Sequence, residues 1–355
     1  MAKRFGIFGA GFWARFQVAA WREVAGAECV AICDPNAEKA AALAAEMGVG
    51  RTYTDPGTMF DKESLDFVDI VSAIESHEPL VLEAARRQIP VICQKPLADD
   101  LETSRRMVLA CGESRTPLFV HENFRWQAPI LAAQKVIASG RLGRVIRMRL
   151  DLISGFPVFD NQPALKKLPR MILADAGVHI LDLARFLGGE ARSVYCRTQK
   201  IHRDIIGEDV ATVCLDMKNG ATVVANLAYA GTPLQHESFP QTLLFVEGEQ
   251  GSLVLEPDYW LRVTTSAGTE SQQVAPTMYP WIDPAYAVVQ SSIVPCNESF
   301  LHTLNGRRLA ETRATTGVDN FETLRLVFAA YESASSGTVI PLEGQNAYGQ
   351  LHPQR

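Results

Sequence analysis

The sequence predicts an α/β protein: a doubly wound parallel sheet, followed by an α+β domain on a large, mainly antiparallel open sheet. Three observations carry this. Short β-rich runs alternate with helical runs over the first third of the chain, the mark of βαβ units. A glycine-rich turn, Gly9-Ala10-Gly11-Phe12-Trp13-Ala14, stands between the first of these strands and the first helix. Beyond residue 125 the text changes to strands in succession, with Lys218-Asn219-Gly220 as a tight-turn signal between two of them.

In order, Arg4–Phe8, Cys29–Cys33, Arg51–Thr54, Phe67–Val71, Pro90–Cys93 and Leu118–His121 read as strands. Gly11–Trp21, Pro35–Met47, Glu78–Arg87 and Leu101–Cys111 read as the helices between them. Ile130–Ser139 is a connecting helix closed by Gly140. In Val145–Ile153, Ile146, Met148, Leu150 and Leu152 alternate with Arg147, Arg149 and Asp151, as in a half-buried antiparallel strand. A helix is expected at Asp175–Leu187. Strands follow at Ser193–Thr198, Asp209–Met217, Ala221–Tyr229, Thr242–Glu247, Ser252–Glu256 and Tyr259–Thr264, then helices at Asn297–Leu304 and Val318–Ser335.

A chain of 355 residues, 47% apolar and 21% charged, is long enough for two domains. A net charge of −6 gives no general reason to bind nucleic acid or anionic lipid. No apolar run approaches the roughly 18 residues that span a bilayer. Seven cysteines without a C-x-x-C spacing read as small buried hydrophobes in a reducing compartment, so a cytoplasmic protein is expected.

The glycine-rich turn fits G-x-G-x-x-A, the dinucleotide fingerprint with alanine in its third small position. Gly9 permits the tight turn, Gly11 lets backbone approach a pyrophosphate, and Ala14 allows close helix–strand packing. Asp34 ends the second strand twenty positions beyond Ala14, where a carboxylate accepts from ribose hydroxyls and repels a 2′-phosphate. The bland alternative makes Asp34 the cap of a helix with Pro35 in first position. With strand, glycines and acid together, NAD is the expected cofactor. Phe12 and Trp13 belong to the same turn. Ser72 and Gln94-Lys95-Pro96 end the fourth and fifth strands and should face the cofactor crevice. His77 either touches the nicotinamide region or is solvated. Residues 1–124 are therefore expected as an NAD-binding Rossmann domain, 125–340 as a substrate-binding and oligomerisation domain, and 341–355 as a tail.

The fingerprint, Gln94-Lys95-Pro96, and Asp175-Ala176-Gly177-Val178-His179 with the following Ile180-Leu181-Asp182 together resemble the family of glucose–fructose oxidoreductase and inositol dehydrogenase. That family usually carries Glu-Lys-Pro where Gln94 stands, and Thr-Pro-Asn where Ser72-Ala73-Ile74 stands. Within it, the fingerprint, 120–127 and 154–163 resemble the branch that oxidises D-apiose to its lactone with NAD. The resemblance implies that Lys95 and His179 flank the carbon giving up hydride and that Asp175 assists.

The residue types suit this chemistry. Removing hydride from an alcohol requires a base for the hydroxyl proton, and histidine is the commonest. A partly desolvated lysine can share that proton or hold the oxygen, so the acceptor is left open between Lys95 and His179. At i, i+4 on one helix, Asp175 and His179 share a face, and the carboxylate would raise and orient the imidazole. Read alone, they are a helix cap and a buried histidine. Asn123, after the sixth strand, is expected at the ribose or substrate hydroxyls. Arg125 and Trp126 are expected to give a sugar hydrogen bonds and a flat apolar face, the bland alternative being that Phe124 and Trp126 are domain-interface core. Asp160, Asn161 and Gln162, in a proline-stiffened loop, are expected to read hydroxyl groups, and Lys166-Lys167 a solvated face. His121 with Glu122 invites a metal reading, but neighbours in a strand point to opposite sides, and no metal site is expected.

The expected function is an NAD-dependent sugar dehydrogenase acting on an anomeric hydroxyl, with D-apiose as substrate. The alternatives are another aldose, inositol or polyol, a non-catalytic NAD-sensing regulator, and a cycle that returns the dinucleotide unchanged. Strands 209–217 and 221–229 are apolar on alternate residues of both faces (Val210 and Cys214 against Ala211, Val213 and Leu215), so a partner sheet in a homodimer or homotetramer is expected.

Overall fold

The computed structural model describes residues 2–229 and 241–342. His236, His352 and most of the expected tail lie outside them. The apolar runs of the first third form β1 (Lys3–Phe8), β2 (Ala27–Cys33), β3 (Thr52–Tyr53), β4 (Phe67–Ile70), β5 (Val91–Gln94) and β6 (Leu118–His121). Between them lie α1 (Phe12–Glu23), α2 (Ala37–Met47), α3 (Pro56–Lys62), α4 (His77–Arg86) and α5 (Leu101–Glu113). All six strands are parallel, in the order β3-β2-β1-β4-β5-β6. Ile7 and Ile32 pack with Ala14, Val18 and Leu43 of α1 and α2. Phe8, Val68 and Ile70 pack with Leu80, Val81 and Met107 of α4 and α5 on the other face. Cover on both faces is why these strands read as unbroken apolar runs. The strand order reverses between β1 and β4, and the crevice beyond their carboxyl ends is where ligands of such sheets bind.

Two local expectations are corrected. Pro35 is not helical: α2 begins at Ala37, capped by Asn36, whose side chain accepts from Lys39 N at 3.0 Å. The helix α3 was not expected, although Asp55 caps it by accepting from Thr58 N at 2.7 Å and Pro56 takes the first position.

The second unit contains α6 (Ala128–Ala138), β7 (Val145–Ile153), α7 (Val158–Asn161), a π-turn (Leu173–Gly177), α8 (Val178–Gly188), β8 (Ala191–Gln199), β9 (Val210–Met217) and β10 (Thr222–Ala228). It continues with β11 (Leu243–Gly248), β12 (Gly251–Leu255), β13 (Trp260–Thr265) and β14 (Gly268–Gln273). The chain then forms α9 (Ala287–Gln290), α10 (Ile293–Leu304), α11 (Leu309–Thr312), α12 (Gly317–Ser336) and β15 (Ile340–Pro341). Nine strands form one sheet, β14-β13-β12-β11-β7-β10-β9-β8-β15. It is mixed: β7 runs antiparallel to β11 and parallel to β10. Edge strand β14, all polar and exposed, has no apolar alternation to reveal it.

Met148, Leu150, Ala211, Val213, Leu215, Val223 and Ala225 are buried on the face that carries α8. The other face exposes Arg147, Arg149 and Thr212 and half-buries Cys214, Val224 and Asn226. Instead of two equally apolar faces, the single chain thus has one closed face and one open one. Late residues also return to the first sheet: Ile293 and Phe300 of α10 join Phe5, Trp21, Phe67 and Phe119 in one cluster. No helix among the described residues is long and apolar enough to cross a membrane.

Candidate active site

At the end of β1, Gly9 has φ +105°, and a Cβ there would lie 2.8 Å from the backbone of Ser72. Only glycine fits that approach of β1 to β4. A Cβ on Gly11 would meet nothing within 4 Å, and no side chain caps α1. Asp34 closes the loop: Oδ2 accepts from Ala10 N at 2.7 Å and Oδ1 from Asn36 N at 2.8 Å. An open glycine at a helix N-terminus, beside a half-buried carboxylate with lone pairs to spare, fits a dinucleotide.

His77 is not solvated. Buried at the start of α4, it stands 3.2 Å from the carbonyls of both Leu97 and Ser72, joining the loops after β4 and β5. Burial lowers its pKa. Ser72 is bonded to Ser76 through their hydroxyls at 2.6 Å.

A cleft of about 340 Å³ opens between the two sheets. Its walls include Phe12 and Trp13 from the fingerprint, Gln94 and Lys95 from the end of β5, and Asn123 and Phe124 after β6. Gln162, Asp175, His179, Tyr229 and Tyr286 of the second unit complete it. Two pairs of ionisable groups meet there. Lys95 Nζ donates to the Asp175 carbonyl at 3.0 Å and to Asp175 Oδ1 at 3.2 Å. Tyr229 Oη reaches Asp175 Oδ2 at 3.5 Å. In the second pair, His179 Nδ1 bonds the buried carboxylate of Glu122, and its ring stacks on Phe124 at 3.8 Å between centroids.

The pairing differs from the expectation that Asp175 would orient His179. Asp175 lies in the π-turn, whose wider pitch takes it out of the i, i+4 register with α8. Glu208 Oε1 holds that turn, accepting from Met171 N at 3.2 Å and Leu173 N at 3.3 Å, while Tyr331 Oη accepts from Ala174 N at 3.1 Å. Burial and the Lys95 ammonium press the His179 imidazole well below its usual range, against the opposing pull of Asp175 and Asp182. Burial pushes the Glu122 carboxyl up to about 7.

Sequence reasoning missed Glu122, Tyr229 and Tyr286. His121 turns to Asn297 Oδ1 at 3.0 Å, and Glu122, one residue past the end of β6, to His179. The signal available for Glu122 was its place just past the carboxyl end of β6, the edge strand of the parallel sheet.

Of the other expected residues, some reach the cleft and some do not. Arg125 is removed from the sugar contacts: it is buried, bonded through Nε and Nη2 to Asp182 at 2.5 and 2.6 Å, and paired with Asp319. A buried guanidinium requires such partners, and the pairs dock the turn after β6 onto α8 and α12. Trp126 packs into the core cluster around Phe300, at the junction of the two units. Asn123 reaches the cleft wall, but Nδ2 is spent on Val289 O at 3.1 Å and Ser292 Oγ at 2.8 Å. Asp160 is exposed and Gln162 lines the cleft, while the Asn161 side chain lies outside what is described. Lys166 pairs with Asp204 at 2.7 Å, as a solvated face would. Trp13 Nε1 and Gln94 Nε2 are buried without a partner among the described residues.

Residues 3–122 match the oxidoreductase family with an NAD-binding Rossmann fold, and residues 130–254 match the GFO/IDH/MocA C-terminal domain. A D-apiose dehydrogenase of Rhizobium rhizogenes is 39% identical over 336 residues, covering 95% of this chain and 96% of the relative. The chain belongs to the Gfo/Idh/MocA oxidoreductase family. A second D-apiose dehydrogenase, of Paraburkholderia graminis, is 40% identical, covering 97% of this chain and 92% of its own. An oxidoreductase from Agrobacterium radiobacter, solved with NAD+, L-tartaric acid and magnesium, superposes with a TM-score of 0.93 at 38% identity, covering 96% of this chain and 98% of that one. Members of this family are NAD-binding oxidoreductases, and the cleft lies beyond the carboxyl ends of the parallel strands, where such sheets bind ligands.

Proposed function

We propose that this Gfo/Idh/MocA protein oxidises the anomeric hydroxyl of D-apiose to the lactone with NAD. The observation that carries the chemistry is the convergence of Lys95, Asp175 and His179 on one cleft beyond β5. Identity of 39% and 40% to two D-apiose dehydrogenases over nearly the whole chain supports the choice of sugar.

NAD, when bound, supplies the carbon that accepts the hydride. Gly9, Gly11 and the start of α1 would hold its pyrophosphate, and Asp34 its ribose hydroxyls. Lys95 Nζ spends two N–H groups on Asp175 and keeps a third for the substrate oxygen, where its charge stabilises the anion that forms as the proton leaves. His179, held neutral, takes the hydroxyl proton. Gln94, Gln162 and Tyr229 offer donors and acceptors to sugar hydroxyls, and Trp13 and Tyr286 flat apolar walls. The open face of the nine-stranded sheet supports a homodimer or homotetramer, and seven unpaired cysteines support a reducing, cytoplasmic setting.

A panel of aldoses and polyols with NAD, followed by absorbance of the reduced nicotinamide, tests the reading. The highest kcat/KM should belong to D-apiose. A higher value with an inositol would replace the substrate. No turnover despite tight NAD binding would favour a sensor.

A further inference from the structure

We propose that Glu122 is the positioning and charge-balancing partner of His179, fixing the tautomer that leaves Nε2 free to take the substrate proton. The proposal rests on the cleft being an alcohol-oxidising site.

Glu122 is fully buried, bonds His179 Nδ1 through Oε1, and leaves Oε2 without a partner among the described residues. A carboxylate in that place does not bind substrate. His179 lines the cleft, and among the described residues its ring is hydrogen-bonded through Nδ1 to Glu122. With Glu122 ionised and the proton on Nδ1, the Nε2 lone pair faces the cleft. Phe124, stacked on the ring within 4° of parallel, holds the imidazole plane. In the step itself the substrate O–H proton moves to Nε2 as the C–H pair leaves as hydride to NAD. The ring becomes an imidazolium whose Nδ1–H stays on the Glu122 carboxylate, as in acid–histidine dyads elsewhere.

The two groups titrate as a pair. Adding a second proton gives either imidazolium and carboxylate, or imidazole with Nε2–H and carboxylic acid. Both block Nε2, so activity requires the singly protonated pair. The charged and titratable groups around it are Asp182 on α8 itself, Arg125 in the turn that Glu122 opens, Lys95 at the end of β5, Asp175 in the π-turn, and Asp319 on α12. His121 and Cys296 stand behind it. Burial raises the Glu122 carboxyl, so the acidic limb of kcat/KM belongs above the ordinary carboxylate range.

The test compares Glu122→Gln and Glu122→Asp with wild type in the full-length enzyme. Glu122→Gln should lower the plateau kcat by 10²–10⁴-fold and move the acidic limb to lower pH, since the lone imidazole is held below its usual range. NAD affinity should change less than about threefold. Glu122→Asp should restore part of kcat and the wild-type limb. Loss of kcat with the limb unmoved, or kcat kept in Glu122→Gln, overturns the proposal. An independent readout is the ¹⁵N spectrum of histidine-labelled protein without substrate, assigned with His179→Asn. At pH 8 it should show His179 protonated on Nδ1 only, and an Nε2–H tautomer overturns the proposal. If no sugar or polyol is oxidised, the reading of the cleft fails, and this spectrum still decides for or against the dyad.

Discussion

Lys95 Nζ donates to two atoms of one residue, the Asp175 carbonyl at 3.0 Å and Asp175 Oδ1 at 3.2 Å, across 80 positions of sequence. The two members of the ion pair act on His179 in opposite senses, the ammonium lowering the imidazole and the carboxylate raising it. The signs of two variants follow. Asp175→Asn removes an anion, so the imidazole becomes harder to protonate and the acidic limb of kcat/KM moves to lower pH. Lys95→Met removes a cation and moves the limb to higher pH, with a turnover loss of about 10²–10⁴-fold from the missing contact to the substrate oxygen. Profiles of kcat/KM against pH check both, and shifts in the same direction would contradict the pairing.

Asp34 ties Ala10 N and Asn36 N together, so its removal acts on both the loop and the cofactor. Hydrogen bonds to a charged acceptor contribute about 1.5–3 kcal/mol each. Asp34→Ala should weaken NAD and narrow the gap to NADP, because a repulsion of the 2′-phosphate goes with it. Calorimetric titration of both dinucleotides measures this. An unchanged NAD to NADP ratio would leave Asp34 as a loop tie alone.

Asp69, in the middle of the first sheet, is fully buried; Trp21 Nε1 donates to its Oδ2 at 2.7 Å and Gln17 Nε2 at 2.9 Å. Burial pushes its carboxyl up to about 6 from the ordinary 3.8. The folded state therefore binds more protons than the unfolded one between these values, and stability falls as pH rises through them. Above pH 6 the cost is on the order of 3 kcal/mol. Asp69→Asn keeps an acceptor for both donors without the charge. Its melting temperature should exceed that of wild type at pH 8, and the advantage should shrink toward pH 5. A constant difference would count against a buried, titrating carboxyl.

Val224 sits near the centre of the open sheet face, opposite Cys214 on one side and Arg149 on the other. Light scattering at micromolar concentration should give a dimer or tetramer. Val224→Asp should lower the assembly state with the circular dichroism spectrum unchanged. A monomeric wild type would refute assembly through this face.

Local pattern alone determined much of this protein. The alternation of strands and helices, the fingerprint at Gly9–Ala14 and the acid at Asp34 are written within stretches of some thirty residues, because period and turn chemistry act at short range. Lys95, Asp175 and His179, each singled out from its neighbours in sequence, line one cleft. Their pairing was not legible. The i, i+4 argument joined Asp175 to His179, but a π-turn pinned by the distant Glu208 and Tyr331 turned Asp175 toward Lys95 and left His179 to Glu122. Arg125 reads as a sugar contact until Asp182 and Asp319, 57 and 194 positions away, are seen to claim it. Tertiary packing made these choices, because a buried charge takes the nearest partner in space and chain closure alone decides which residue that is.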